Sequence, residues 1–302
     1  MRPFVAFALA SLFALPVAAQ GRIPADVEVT RDVEYGVAND VSLTLDVYRP
    51  RKAPEGLMAA IVWIHGGGWS AGDKNNAANA IAAAKRGFFA VSVNYRLSGE
   101  AAFPAAIEDC KGAIRWVRAN AKENHVDPDR IGVWGASAGG HLALLAGSAD
   151  ESAGLEGKSG YAKTSSRVQA VCSWFGVSDF TAVNDRANSA EAKFLGGTRA
   201  EQPEVYKLAS PVTHVSKDDP PVLMIHGDQD MVVSLDQSQR MKKALEKVEV
   251  EAELVVVKNA GHVFKPVGGE IQPGMDEIME KTLGFFEVKL RVKEVPKVDP
   301  QK

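Results

Sequence analysis

Residues 130–147 read RIGVWGASAGGHLALLAG, and this stretch decides the fold. The apolar run IGVW predicts a buried strand, the run GHLALLAG predicts a helix, and G-A-S-A-G between them predicts a sharp strand-to-helix turn. Such a turn admits only small neighbours and holds its central side chain, Ser137, at the end of the strand near the positive end of the helix dipole. Ser137 is therefore a candidate nucleophile, although a turn of small residues with an incidental serine has the same pattern.

Strands and helices alternate on both sides of this stretch. Period-two patterning at 27–37 and 41–50 predicts an antiparallel start to a sheet, and the apolar run at 58–64 predicts a central strand covered on both faces. The other predicted elements are strands at 88–93, 130–134, 168–175, 222–226 and 253–257 and helices at 76–85, 104–120, 140–147, 235–247 and 275–288. This order predicts an α/β fold, a single doubly wound and mostly parallel sheet of about eight strands, in one domain over residues 20–290.

Two segments fall outside the alternation. Residues 178–219 are rich in small and polar side chains and are too long for an ordinary connection, which predicts a lid or a cap facing the substrate. We refer to them as the cap segment. Residues 291–302 have no periodicity and are predicted to form a disordered tail.

The motif His65-Gly66-Gly67-Gly68-Trp69 follows the predicted central strand. Successive glycines let backbone N–H groups approach a developing oxyanion, whereas a plain glycine-rich turn needs no such run before a tryptophan. We therefore expect Gly67, Gly68 and the backbone N–H of Ala138 to form an oxyanion hole.

A serine hydroxyl needs a base, and the base needs an acid to orient it. His262 lies in the loop after the last predicted strand, where a side chain reaches the nucleophile, so His262 is the predicted base. His214 and His226 are expected to have structural roles. Asp228 and Asp230 both lie in the loop after the strand at 222–226, and either could be the acid.

Three motifs together, HGGGWSAGDK, GASAGGHLALL and HGDQDMVVS, resemble the bifunctional feruloyl esterase and acetyl-xylan esterase family of carboxylesterases. The resemblance extends from about residue 27 to residue 287 and implies an α/β-hydrolase fold. It implies that the acid is Asp230, the last acidic position of H-G-x-x-D-x-x-V, while Asp228 stands at a variable position and caps the loop. It also implies that Trp69 lines the acyl pocket; packing of Trp69 on the helix at 76–85 is the alternative.

The resemblance implies a secreted serine esterase for short-chain or aromatic esters, with acetyl or feruloyl groups on plant polysaccharide as the expected substrates. The chemistry is acyl transfer through an acyl-enzyme and needs no cofactor and no metal. The alternatives are an arylformamidase-like hydrolase, a serine peptidase and, among non-enzymes, a catalytically dead adhesion relative. Arg96 and Asp109 are expected to form an ion pair beneath the site, with a structural role.

Composition narrows the classes of partner. The chain is 46% hydrophobic and 24% charged with a formal net charge of −3, which favours a folded globular protein and disfavours nucleic-acid binding. The expected partner is a small-molecule or oligosaccharide ester. The two cysteines, Cys110 and Cys172, lie in apolar segments and are predicted to be buried and unpaired rather than disulfide-bonded. No Cys/His pair has zinc-ligand spacing.

Residues 1–19 have the features of a secretory signal peptide: an early arginine, an apolar run too short to span a bilayer, and small residues at the end. The alternative is a retained membrane anchor. We expect export to the periplasm or the exterior and no membrane contact after cleavage.

Cleavage is expected after Ala19, so that the exported protein begins at Gln20, because Val17 and Ala19 occupy the recognition positions. Intact-mass measurement of the protein recovered outside the cytoplasm tests this expectation. A mass that includes residues 1–19 would contradict it.

Overall fold

Eight strands form one sheet in the computed structural model, which describes residues 23–183 and 186–291. The predicted signal peptide and residues 292–302 of the predicted tail lie outside the described residues. The strands are β1 (Val27–Ala38), β2 (Val41–Pro50), β3 (Met58–Ile64), β4 (Phe89–Val93), β5 (Val126–Ala136), β6 (Ala170–Trp174), β7 (Val222–Gly227) and β8 (Ala252–Val257). The helices are α1 (Ala78–Lys85), α2 (Ala105–Ala119), α3 (Ala138–Ser148), α4 (Ala190–Leu195), α5 (Pro203–Leu208), α6 (Asp236–Lys247) and α7 (Met275–Lys289).

The strand order is β1-β2-β4-β3-β5-β6-β7-β8. Strands β1, β2 and β4 pair antiparallel, and every pairing from β4 to β8 is parallel. This topology confirms the predicted α/β class, including its antiparallel start and its strand count. Every residue of β3 is buried, as expected for a continuous apolar run covered on both faces.

Helices cover both faces of the sheet and bury two apolar clusters. Helices α2, α3 and α6 pack over one face, and α1 and α7 pack over the other. Three tryptophans lie in the cluster under α1 and α7. Trp134 makes edge contacts there with Trp63 and Trp174, at 5.1 and 4.9 Å between ring centroids. Because parallel strands end at the same edge, the loops after β3, β5, β7 and β8 meet at one end of the sheet.

The cap segment contains α4 and α5, and its described part is anchored in the core by aromatic side chains. Phe180, Phe194 and Tyr206 are at most 1% exposed. Its first residues are fixed to α6, because the Gln237 side-chain oxygen accepts hydrogen bonds from the N–H groups of Ser178 and Asp179. The segment that looks polar in sequence is therefore attached by a few large apolar residues.

Both cysteines, Cys110 and Cys172, are buried and unpaired, as predicted. Burial raises the pKa of both thiols. Across the described ranges, none of the helices combines the length and apolarity needed to cross a bilayer.

Arg96 and Asp109 form the predicted pair under the carboxyl end of β4. Two guanidinium nitrogens of Arg96 donate to the two carboxylate oxygens of Asp109 at 2.8 and 2.7 Å, and the Arg96 backbone N–H donates to the same carboxylate at 2.9 Å. Both residues are buried. Glu108 also faces this guanidinium, at 3.8 Å and with a more exposed carboxylate.

Asp109→Asn is expected to lower the free energy of unfolding by about 3 kcal/mol, because it leaves the buried Arg96 with only the more distant carboxylate of Glu108 as a counter-charge. Glu108→Gln is the matched control and should cost much less, since exposed ion pairs contribute little. Urea unfolding of both variants measures the difference. Equal losses would mean that the buried pair is not a special stabilising element.

Candidate active site

Ser137 lies between β5 and α3 with a backbone φ of 54° and ψ of −119°. This conformation is strained for a residue with a side chain and persists only where the surroundings dictate it. A Cβ on Gly135 would lie 2.1 Å from the Gly139 carbonyl oxygen, and a Cβ on Gly139 would lie 2.1 Å from the Ile64 carbonyl oxygen. The two glycines of the motif are therefore required by backbone contacts, which is why the turn around Ser137 is built from small residues.

A continuous chain of hydrogen bonds joins Ser137, His262 and Asp230. His262 Nδ1 lies 2.7 Å from Asp230 Oδ2, and His262 Nε2 lies 2.9 Å from Ser137 Oγ. An ionised carboxylate only accepts hydrogen bonds, so Nδ1 carries the proton and the Nε2 lone pair faces the serine hydroxyl. The arrangement can withdraw the hydroxyl proton as the oxygen attacks an electrophile.

Asp230 is buried and held by four groups. Its Oδ1 accepts the N–H groups of Val232 and Val233 at 2.8 and 2.9 Å, and His226 Nε2 lies 3.5 Å from its Oδ2. Burial raises the pKa of Asp230, but hydrogen bonding to His226, His262 and the two backbone N–H groups together holds it well below its usual value. The carboxylate is thus ionised and fixed in orientation.

The two candidate acids differ sharply in position. Asp228 is exposed, and its Oδ1 accepts the N–H of Ala260 at 3.3 Å, so it bonds the loop after β8 and not, as expected, the backbone of its own loop. Only Asp230 contacts the imidazole of His262. Sequence reasoning assigned His226 a structural role and missed its proximity to the acid: its Nε2 donates to the Val233 carbonyl at 2.8 Å beside the Asp230 carboxylate.

The predicted oxyanion loop, residues 66–69, lies directly beside the nucleophile. A Cβ on Gly66 would lie 3.3 Å from the Ser137 Cβ, and the next residues, Gly67 and Gly68, have φ values of 121° and 58°. Ala138 is the first residue of α3, where backbone N–H groups have no partner within the helix. Within the described residues, the N–H groups of Gly67, Gly68 and Ala138 have no acceptor from the protein and can donate to an oxyanion.

The side chain of His65 contacts this loop. Its Nδ1 donates to the Gly66 carbonyl at 2.7 Å, and its ring stacks on Tyr95 at 4.4 Å between centroids. Burial lowers the pKa of His65. A Cβ on Gly72 would lie 2.5 Å from His65 Nδ1, which explains a glycine there. Lys74 is the last residue of the motif HGGGWSAGDK, and it forms ion pairs with the Asp46 and Asp32 carboxylates at 2.6 and 2.7 Å.

Trp69, predicted to line the acyl pocket, packs against aromatic side chains of the cap segment. It is 3% exposed, and its ring stacks on Phe194 with 4.7 Å between centroids and 11° between planes and packs at 5.5 Å on Phe180. Both partners belong to the cap segment, so the alternative of packing on α1 does not describe these contacts. The indole turns inward because burial of its large apolar surface against two phenyl rings is favourable.

Sequence reasoning also missed His141, which lies one turn after Ser137 in α3. Its Nδ1 accepts the indole N–H of Trp69 at 3.1 Å, and its Nε2 donates to the Ala209 carbonyl at 2.8 Å. The spacing of four from Ser137 places it on the first turn of the nucleophile helix, but the sequence holds no sign of its distant partners. No group of three or more His, Cys, Asp and Glu side chains suited to a metal ion occurs in ranges 23–183 and 186–291.

The model of the BD-FAE family matches residues 45–245. The probable carboxylic ester hydrolase LipM of Mycobacterium tuberculosis is 35% identical over 239 residues, which are 75% of this chain and 54% of that protein. The chain thus spans about half the length of the curated relatives it matches.

Two solved structures share the architecture. A truncated carbohydrate esterase from gut microbiota has a TM-score of 0.75 and 32% identity over 87% of this chain and 96% of that one. A bifunctional GH43-CE protein of Bacteroides eggerthii has a TM-score of 0.77 and 34% identity over 86% of this chain and 38% of that one. These likenesses confirm the α/β-hydrolase fold, and the names of the relatives agree with the predicted class, a carboxylic ester hydrolase.

Ser137→Ala and Asp230→Asn are each expected to lower kcat for p-nitrophenyl acetate, Asp230→Asn by about 10⁴-fold, because the first removes the nucleophile and the second loses the required imidazole tautomer. Asp228→Asn is the matched control, one carboxylate of the same loop, and should stay near the wild-type rate. Steady-state kinetics on the three variants decide between the two acids. A larger loss in Asp228→Asn would overturn the role inferred for Asp230.

Proposed function

Since this chain belongs to the BD-FAE family, we propose that it is a secreted serine esterase that hydrolyses short-chain or aromatic carboxylic esters. The observation that carries the proposal is the unbroken chain of hydrogen bonds from Asp230 through His262 to Ser137, at 2.7 and 2.9 Å. A binding protein has no need to hold a serine in a strained turn against an oriented imidazole.

The reaction proceeds in two half-reactions. Ser137 Oγ attacks the ester carbonyl carbon while its proton moves to His262 Nε2, and the carbonyl oxygen, now negative, accepts hydrogen bonds from the oxyanion loop and Ala138. Collapse of the tetrahedral intermediate expels the alkoxide, which takes the proton from His262 and leaves as the alcohol. Water then gives its proton to His262, attacks the acyl carbon and releases the acid, with Ser137 Oγ regaining its proton.

Asp230 has an electrostatic and a geometric part in both half-reactions. Its ionised carboxylate stabilises the imidazolium that forms when His262 is protonated, and it fixes the ring so that Nε2 faces the serine. The base also packs at 4.9 Å on Phe175, which limits rotation of the ring out of line.

Acetyl or feruloyl groups on plant polysaccharide are the substrates that we propose for the site. Support comes from the carbohydrate esterase named among the structural neighbours and from the signal-like residues 1–19, since polymeric esters are met outside the cell. The cap segment adds to this, because none of its described residues presents an exposed large hydrophobic side chain that could receive a long acyl chain.

We expect kcat/KM for acetyl or feruloyl esters of xylan fragments to exceed that for C12 acyl esters by about 100-fold, since the described cap segment offers no exposed large apolar side chain to a long acyl group. A panel of C2, C4, C8 and C12 p-nitrophenyl esters, feruloylated and acetylated xylo-oligosaccharides and N-formylkynurenine measures the preference. Ser137→Ala serves as the control for contaminating activity. Preference for C12 esters, or for the formamide as in an arylformamidase-like enzyme, would contradict the proposal, and no turnover of any ester would point to a binding protein.

A further inference from the structure

Three consecutive residues of the oxyanion loop have positive φ. Gly67 and Gly68 are followed by Trp69 at 56°, in a region that L residues other than asparagine, aspartate and histidine seldom occupy. A conformation of this kind persists only when surrounding contacts over-determine it. The positions of the Gly67 and Gly68 N–H groups therefore depend on the contacts that hold the Trp69 side chain.

Two kinds of contact hold that side chain. The stacking on Phe194 and the packing on Phe180 bury the ring, but apolar packing is weakly directional and allows the ring to slide. The hydrogen bond from the indole N–H to His141 Nδ1, at 3.1 Å, is directional and fixes the rotation and depth of the ring. Trp69 and His141 are 3% and 0% exposed, so water cannot replace this bond.

A single protonation state of His141 allows both of its side-chain hydrogen bonds, to Trp69 and to Ala209. The Ala209 carbonyl only accepts, so Nε2 must carry a proton, and the indole N–H only donates, so Nδ1 must be a lone pair. Burial lowers the pKa of His141 to about 4, which keeps the ring neutral in neutral solution. One neutral tautomer therefore links Trp69 to the end of α5 in the cap segment.

His141 also belongs to the nucleophile helix. Its backbone N–H donates to the Ser137 carbonyl at 3.0 Å and closes the first turn of α3, whose first residue is Ala138. The two parts of the oxyanion hole lie on different elements, the loop after β3 and the start of α3. The His141–Trp69 bond is a side-chain link between these two elements.

We propose that His141 is a positioning residue for the oxyanion hole: through Trp69 it sets where the Gly67 and Gly68 N–H groups lie relative to Ser137 and Ala138. The inference rests on the proposed function and adds a part to its machinery. Oxyanion donors act only within about 2.7–3.1 Å of the developing charge, so a small shift of the loop weakens the transition state more than the bound substrate.

Trp69→Phe tests the link, because it removes the indole N–H and keeps an aromatic ring to stack on Phe194. We expect kcat for p-nitrophenyl acetate to fall about tenfold with KM within about twofold, a smaller loss than removal of a donor itself, which costs about 10²–10³-fold. Trp63→Phe is the matched control: it also deletes a tryptophan N–H bond, from Nε1 to the Asn76 carbonyl at 2.7 Å, but in the core on the other face of the sheet.

His141→Phe provides a second variant in case Trp69→Phe folds poorly, because a phenyl ring has neither the acceptor nor the donor of the imidazole, and thermal unfolding of all variants reports their stability. A trifluoromethyl ketone, which forms an oxyanion on Ser137, supplies the readout that a merely structural role would not move. Its inhibition constant should rise by the same factor as kcat/KM falls in Trp69→Phe and His141→Phe, and should not change in Trp63→Phe.

The outcomes separate this inference from the proposed function. Ester turnover by wild type that depends on Ser137, together with wild-type kcat and inhibition constant in both Trp69→Phe and His141→Phe, would overturn the role of His141 alone. A parallel loss of kcat and inhibitor affinity in Trp63→Phe would also overturn it, since any lost core hydrogen bond would then have the same effect. Absence of Ser137-dependent turnover in wild type would overturn the proposed function itself.

Discussion

Backbone contact between the nucleophile turn and the end of β3 constrains the whole site. A Cβ on Gly139 would lie 2.1 Å from the Ile64 carbonyl oxygen, and one on Gly66 would lie 2.8 Å from the Ala136 carbonyl oxygen. No side chain fits between the two elements, so the start of α3 and the oxyanion loop approach as closely as polypeptide chains can. The glycines on both sides are consequences of this contact, and the hydroxyl of Ser137 lies within reach of both sets of N–H groups because of it.

The fold and the order of the reactive residues could be predicted because both depend on local pattern. Alternating apolar strands and amphipathic helices dictate a parallel sheet, and the parallel sheet brings the loops with Ser137 and His262 to one edge. Local pattern could not decide between the two candidate acids. Two carboxylates lie two residues apart on one loop, and only the direction of each side chain separates Asp230, buried against the imidazole, from Asp228, exposed to solvent.

Two of the contacts that sequence reasoning missed join distant parts of the chain. The Trp69–His141 bond spans 72 positions and the His141–Ala209 bond spans 68, so neither leaves a periodicity or a spacing that a reader of the sequence can use. Trp69 was assigned to the acyl pocket only through the resemblance to the esterase family. Its inward turn depends on two phenylalanines of the cap segment, whose position follows from tertiary packing rather than from any local propensity.

Several residues with strained backbone lie at the same end of the sheet. Ser137, Trp69, Phe175 and Val263 all have positive φ, and Val263, a β-branched residue, follows the base directly. Each such residue costs about 1–3 kcal/mol, which the surrounding packing and hydrogen bonds must offset. A site held in this way already has its donors and its base in position before any ligand binds, so little reorganisation remains for the reaction itself. The buried polar links at His226 and His141 therefore have the same physical purpose: each fixes a group of the site that apolar packing alone would leave free to move.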